Sequence, residues 1–63
     1  MKLLKKYVGQ MGEFTDRDGN IRQCVVTQAP DRYGILVVDY VIPELNKRVT
    51  GAMIDLASFR PDK

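Results

Sequence analysis

Cys24 is the single thiol of a 63-residue chain that contains no histidine. Thiol and hydroxyl nucleophiles need a neighbouring base that titrates near neutral pH, and imidazole is the usual one. Without it no Cys-His or Ser-His pair can form, and one cysteine cannot assemble a soft metal cluster. Cys24 stands beside Val25 and Val26, so it reads as a small buried hydrophobe. Asp16 and Asp18, followed by Gly19 and Asn20, look like the start of a calcium loop. Such a loop places a glutamate six residues after its glycine, and that position holds Val25. The stretch is therefore a plain turn. The glycines at 9, 12, 19, 34 and 51 form no phosphate-cradling arrangement. These residues imply no enzyme, no cofactor and no metal.

Binding is the remaining chemistry. Small barrels that hold single-stranded nucleic acid stack bases on aromatic rings beside a cationic groove. The aromatics are Tyr7, Phe14, Tyr33, Tyr40 and Phe59. Phe14, Tyr40 and Phe59 fall where a core needs them, which leaves Tyr7 and Tyr33 exposed. Arg32 and Tyr33 make a loop-tip pair suited to stacking or to a protein contact. A phosphate-binding surface would draw on Lys5, Lys6, Arg22, Lys47 and Arg48, provided the strands present Arg22 and Arg48 together. Asp16, Asp18, Asp31, Asp39 and Asp55 are interspersed among these cations, the pattern of a solvated surface. Ten Lys/Arg against eight Asp/Glu give a net charge of +2, which permits a nucleic-acid partner without demanding one.

The elements that must position these groups are short. One domain, residues 1–63, is all this length allows. A chain of this size buries about 60% of its unfolded surface, so its core is thin and oligomerisation is a common supplement. With 44% hydrophobic and 29% charged residues it belongs to the globular class. A single cysteine builds no disulfide framework and points to a reducing compartment, here the cytoplasm. The N-terminal Leu3-Leu4 pair is followed by Lys5 and Lys6, too short an apolar stretch for a secretory signal. Residues 1–8 fit either an N-terminal arm or a short helix, because Leu3, Leu4, Tyr7 and Val8 recur at helical spacing opposite three lysines.

From Gln10 onward the pattern is β. Strands are expected near 8–15, 21–28, 33–42 and 47–54, with a short last one near 58–60 and a polar tail at 61–63. Between them lie the turn Asp16–Asn20, a break at Pro30 and the turn at 43–46. Phe14 faces the core in the first strand. The second strand has no cleanly apolar face, which suggests a bulge that switches its inward side. Leu36, Val38, Tyr40 and Ile42 form the apolar face of the third. Ile35 and Val37, with Val25 from the next strand, make its other face apolar as well. Such a strand is either covered twice or meets a partner. Gly51 marks a bulge or corner in the fourth strand. Residues 55–59 fit one 3-10 or helical turn that brings Leu56 and Phe59 together.

Strand number, loop spacing and the turn at 55–59 resemble the SH3-like small barrels over about residues 8–60. The resemblance implies an all-β, five-stranded antiparallel barrel, closed or nearly so, and carries over no functional residues. The expected function is a non-enzymatic small binding module for protein–protein contact or self-association, of the size of a phage or mobile-element accessory protein. Its expected protein-binding residues are Arg32, Tyr33, Ile35 and Val37. The alternative is a nucleic-acid-binding barrel that uses the five cations named above. No membrane partner and no small-molecule substrate is expected.

Overall fold

Short turns join the strands, and an aspartate side chain builds two of them. The computed structural model describes residues 7–62. Five antiparallel strands form one sheet: β1 (Met11–Thr15), β2 (Ile21–Gln28), β3 (Ile35–Ile42), β4 (Lys47–Asp55) and β5 (Phe59–Pro61). Single 3-10 turns at Pro43–Leu45 and Leu56–Ser58 lead into β4 and β5. The class is all-β, as the alternating apolar pattern implies.

The β1–β2 turn is held by Asp16, whose carboxylate accepts the N–H groups of Asp18 and Asn20, both at 2.9 Å. Gly19 takes φ 86°, a left-handed value that side chains other than glycine adopt at a cost. Asp31 builds the next turn in the same way, accepting from Tyr33 N–H at 2.8 Å and Ile35 N–H at 3.0 Å. This turn runs on through Gly34, so β3 begins at Ile35 rather than at residue 33. Likewise Tyr7–Gly9 is a turn, closed by Gln10 N–H on the Tyr7 carbonyl at 3.0 Å, and β1 begins at Met11.

The strand order is β4-β3-β2-β1-β5. The expected closure does not occur: β4 and β5 lie at opposite ends of the ladder and do not pair. β5 is only three residues long, and Pro61 has no N–H to offer a further strand. Arg60 pairs with Glu13 of β1, inside the expected last strand, and Pro61, expected to open the polar tail, pairs with Gly12. Residues 1–6, including Lys5 and Lys6 and most of the expected arm or helix, and Lys63 lie outside the described residues.

One face of the curled sheet is the core. Phe14, Cys24, Val26, Leu36, Val38 and Phe59 are buried, and Tyr40, Ala52, Ile54 and Leu56 pack around them. Leu56 and Phe59 do converge at the last turn. Tyr7 does not stand free as expected; its ring meets Phe59 edge-on at 6.5 Å and covers the end of the core. The β2 bulge falls late, between Val26 and Gln28, so Cys24 and Val26 both point inward before it.

In β4 the bulge lies at Thr50 and Gly51, opposite Asp39. Gly51 has φ 68°, and its N–H donates to the Asp39 carboxylate at 3.0 Å. This irregularity turns Val49 to the same side as Ala52 and Ile54, because Tyr40↔Val49 and Val38↔Ala52 are both register pairs. Simple alternation puts Val49 on the other side.

Candidate groove on the outer face of the sheet

β2 belongs to two ladders. Its first half, Ile21–Val25, pairs with β1, while its pairing with β3 ends at Cys24↔Tyr40. Beyond that point β2 and β3 diverge, and a groove of about 620 Å³ opens between them on the face away from the core. Its apolar walls are Ile21 and Val25 from β2, Val41 from β3 and Met11 from β1. Met11, Ile21 and Val41 are 56%, 60% and 50% exposed. Gln23, Asp39 and Arg48 form the polar rim. A groove of this volume falls within the range of ligand-binding clefts, about 300–1,000 Å³.

A second hollow, about 780 Å³, lies where the sheet fails to close. Its floor is the rim of the core, Tyr40, Ile42, Ala52 and Ile54, and Asp16 and Glu44 stand at its edge. Met53 and Leu45 flank it and are 75% and 66% exposed.

The sequence-expected residues are scattered over these features. Arg22 is at the start of β2 with its side chain only 13% exposed, between Asp16 at 3.2 Å and Glu44 at 3.4 Å. Its register partner is Phe14 on the core face, whereas Arg48 is opposite Val41 on the outer face. Arg22 and Arg48 therefore leave the sheet on opposite sides. Lys47 and Arg48 are exposed side by side at the start of β4. Arg32 and Tyr33 cap the loop before β3; Tyr33 is 79% exposed, and the Arg32 guanidinium is 6.0 Å from its ring centroid. Ile35 and Val37 are half-buried on the outer phase of β3, Ile35 bordering the open end of the core. Of that strip, only Val25 lines the groove.

Met11, Ile21 and Val41 were not singled out by sequence. The signal that finds them is an apolar residue at the outward phase of a strand whose inward phase is already apolar. Alternation marks each residue separately; their convergence depends on the divergence of β2 from β3.

The electrostatics are local. The Asn20 backbone N–H and the Arg22 guanidinium hold the Asp16 carboxyl below its ordinary value of 3.8. Its own backbone N–H and then Arg22 hold the Glu44 carboxyl below 4.5. Asp16 in turn raises the Arg22 guanidinium above its ordinary value. A carboxyl lowered on folding stabilises the fold above its ordinary value and ceases to do so as pH falls through its folded value. Urea midpoints measured from neutral pH down to about pH 2 should therefore fall below the ordinary carboxyl range. Asp16→Asn retains an oxygen acceptor for the turn and should flatten part of that fall. A variant as acid-sensitive as the parent would show that Asp16 carries no linkage.

Burial pushes the Cys24 thiol above its ordinary value, which keeps it protonated and unreactive. Among the described residues, no three His, Cys, Asp or Glu side chains are grouped to hold a metal ion. Nor is any described helix long and apolar enough to cross a membrane. Comparison with protein-family models, with curated proteins and with solved structures finds no match for this chain.

Proposed function

We propose that this chain is a non-enzymatic small binding module that docks a protein through the outer face of its open sheet. The observation that carries the reading is the groove between β2 and β3, where Met11, Ile21 and Val41 stay at least half exposed. Large apolar side chains from three strands that converge on one groove with a polar rim are the kind of surface an interaction site offers. The absence of any histidine and the buried, protonated Cys24 support a role without catalysis. In this reading the open sheet is an SH3-like barrel left unclosed, on the strength of its five-strand meander and the 3-10 turn before the last strand. The lone thiol suits a cytoplasmic setting. Arg32 and Tyr33 offer a second contact at a loop tip on the same molecule.

The nucleic-acid reading is weaker. Arg22 is taken by two carboxylates, and Tyr40, the aromatic at the groove, meets Phe14 edge-on at 5.1 Å rather than presenting an open ring. Of the five expected cations, Lys47 and Arg48 are the two exposed ones among the described residues, and two make a small phosphate site. Light scattering at low and high salt, with and without a random single-stranded oligonucleotide, separates the two. The docking reading expects a mass indifferent to the oligonucleotide at both salts. A mass increase with oligonucleotide that vanishes at high salt would replace it with nucleic-acid binding.

A further inference from the structure

We infer that the hollow where the sheet fails to close takes a basic–apolar segment of a partner protein, one that carries large apolar side chains beside lysine or arginine. The site is separate from the outer groove and does not rest on the docking reading above. Two observations meet there. The first is apolar surface. Tyr40, Ile42, Ala52 and Ile54 on its floor are only partly buried, and Leu45 at its edge is 66% exposed. At about 780 Å³ the hollow has room for several side chains.

The second observation is charge. Among the described residues that line the hollow are four carboxylates, Asp16, Asp18, Glu44 and Asp55, and two guanidiniums, Arg17 and Arg22. The lining therefore carries a formal excess of two negative charges. Pairing within the set leaves that sum unchanged. Arg22 lies between Asp16 at 3.2 Å and Glu44 at 3.4 Å, so this trio keeps one negative charge. Arg17 and Asp18 are exposed neighbours in the β1–β2 turn and offset each other. Asp55, exposed at the end of β4, makes no ion pair among the described residues and supplies the other.

A nucleic acid or an anionic lipid surface would bring phosphates to this excess, and an acidic segment would bring carboxylates. Both are like-charge encounters, which are costly at an interface. An uncharged apolar segment would cover the floor and leave the excess unanswered. A lysine or arginine answers it, while an apolar neighbour on the same segment takes the floor out of water.

The test uses the full chain, labelled with nitrogen-15, and three blocked synthetic probes. They are Gly-Lys-Leu-Lys-Phe-Lys-Gly, the same peptide with serine in place of lysine, and the same with glutamate. Each is titrated to about 1 mM, where weak short-peptide binding is visible, and amide shifts are followed. The lysine probe should bind about tenfold more tightly than the serine probe, and the glutamate probe more weakly than either. The gap should narrow as salt is raised. The shifts should centre on Leu45, Ala52 and Ile54, which line the hollow and not the outer groove. Asp55→Lys brings the charge of the lining to zero and should level the lysine and glutamate probes. The Asp55 side chain does not cap the turn that follows, so the variant should keep the fold of the parent. Leu45→Ser, also an exposed change, should weaken all three probes.

Equal binding of the three probes, a preference for glutamate, or binding by none overturns the inference and leaves the docking reading of the outer groove in place. A lysine preference that Asp55→Lys does not reduce overturns it too. Shifts confined to Met11, Ile21 and Val41 move the peptide to the outer groove, which overturns the basic partner of the hollow and supports the docking reading. A dimer in light scattering that Leu45→Ser dissolves gives the hollow to a second copy and overturns an outside partner.

Discussion

Gly12→Ala should cost about 2–4 kcal/mol of stability, and Gly12→Val should leave a chain that does not fold. A Cβ on Gly12 would stand 2.5 Å from the Arg60 carbonyl oxygen and 2.7 Å from two carbons of the Phe59 ring. Both distances are inside van der Waals contact, and one of the neighbours is backbone. Relief requires β5 to move off β1. That motion breaks the Gly12↔Pro61 and Phe14↔Phe59 pairings and exposes a phenyl ring now 7% exposed. Overpacking costs about 1–3 kcal/mol, and uncovering a phenylalanine costs roughly 1.5–3 kcal/mol. A 63-residue chain has roughly 3–9 kcal/mol in total at the usual stability per residue. Gly9→Ala is the control. Gly9 has φ 86° and nothing within 4 Å of its Cβ position, so it should lose only the left-handed penalty of about 1–2 kcal/mol. Urea midpoints decide the matter. If the two alanine variants melt together, close approach is not what Gly12 is for.

Leu36→Ala should be nearly as severe, at about 2–5 kcal/mol. Leu36 is 0% exposed, lies opposite Ile54 in the β3–β4 ladder, and shares the sealed centre of the core with Val26 and Val38. The cavity would sit inside a core that has six buried side chains among the described residues, with little apolar material near it to collapse inward. Val37→Ala, one residue along on the outer phase, should cost about 1 kcal/mol, because Val37 is only partly buried. The pair also separates two roles for the two-faced strand. A drop for Val37→Ala equal to that for Leu36→Ala would make Val37 a core residue and remove it from any docking surface.

What the sequence makes legible is what neighbours in the chain decide. Asp16 and Gly19 announce their turn because the hydrogen bonds and the positive φ are made within five residues. Phe14 announces its burial by strand phase and apolar type, and Cys24 by its type and its apolar neighbours Val25 and Val26. Gly51 announces a bulge, since a glycine inside a strand has few other uses. The side on which Val49 emerges depends on how many residues that bulge inserts, and no residue type states this. The purpose of Gly12 is set by Phe59 and Arg60, far along the chain, so composition shows only a glycine. Arg22 looks like a free cation until Glu44, 22 positions away, is brought to it. The groove is least visible of all. It is the gap left by β2 as it passes from one ladder to the next, and a gap has no residue of its own.

The free side of β4 has consequences once many copies are present. A nine-residue strand with no neighbour on that side among the described residues is a template on which another chain can add as a further strand. The kink at Gly51 spoils the template, because a straight incoming strand cannot match a backbone that doubles up opposite one residue. Asp39 keeps the kink in place from the neighbouring strand. Lys47 and Arg48 repel a like copy at one end. The same few atoms that shape a corner thus decide whether a concentrated solution stays clear or turns to fibre.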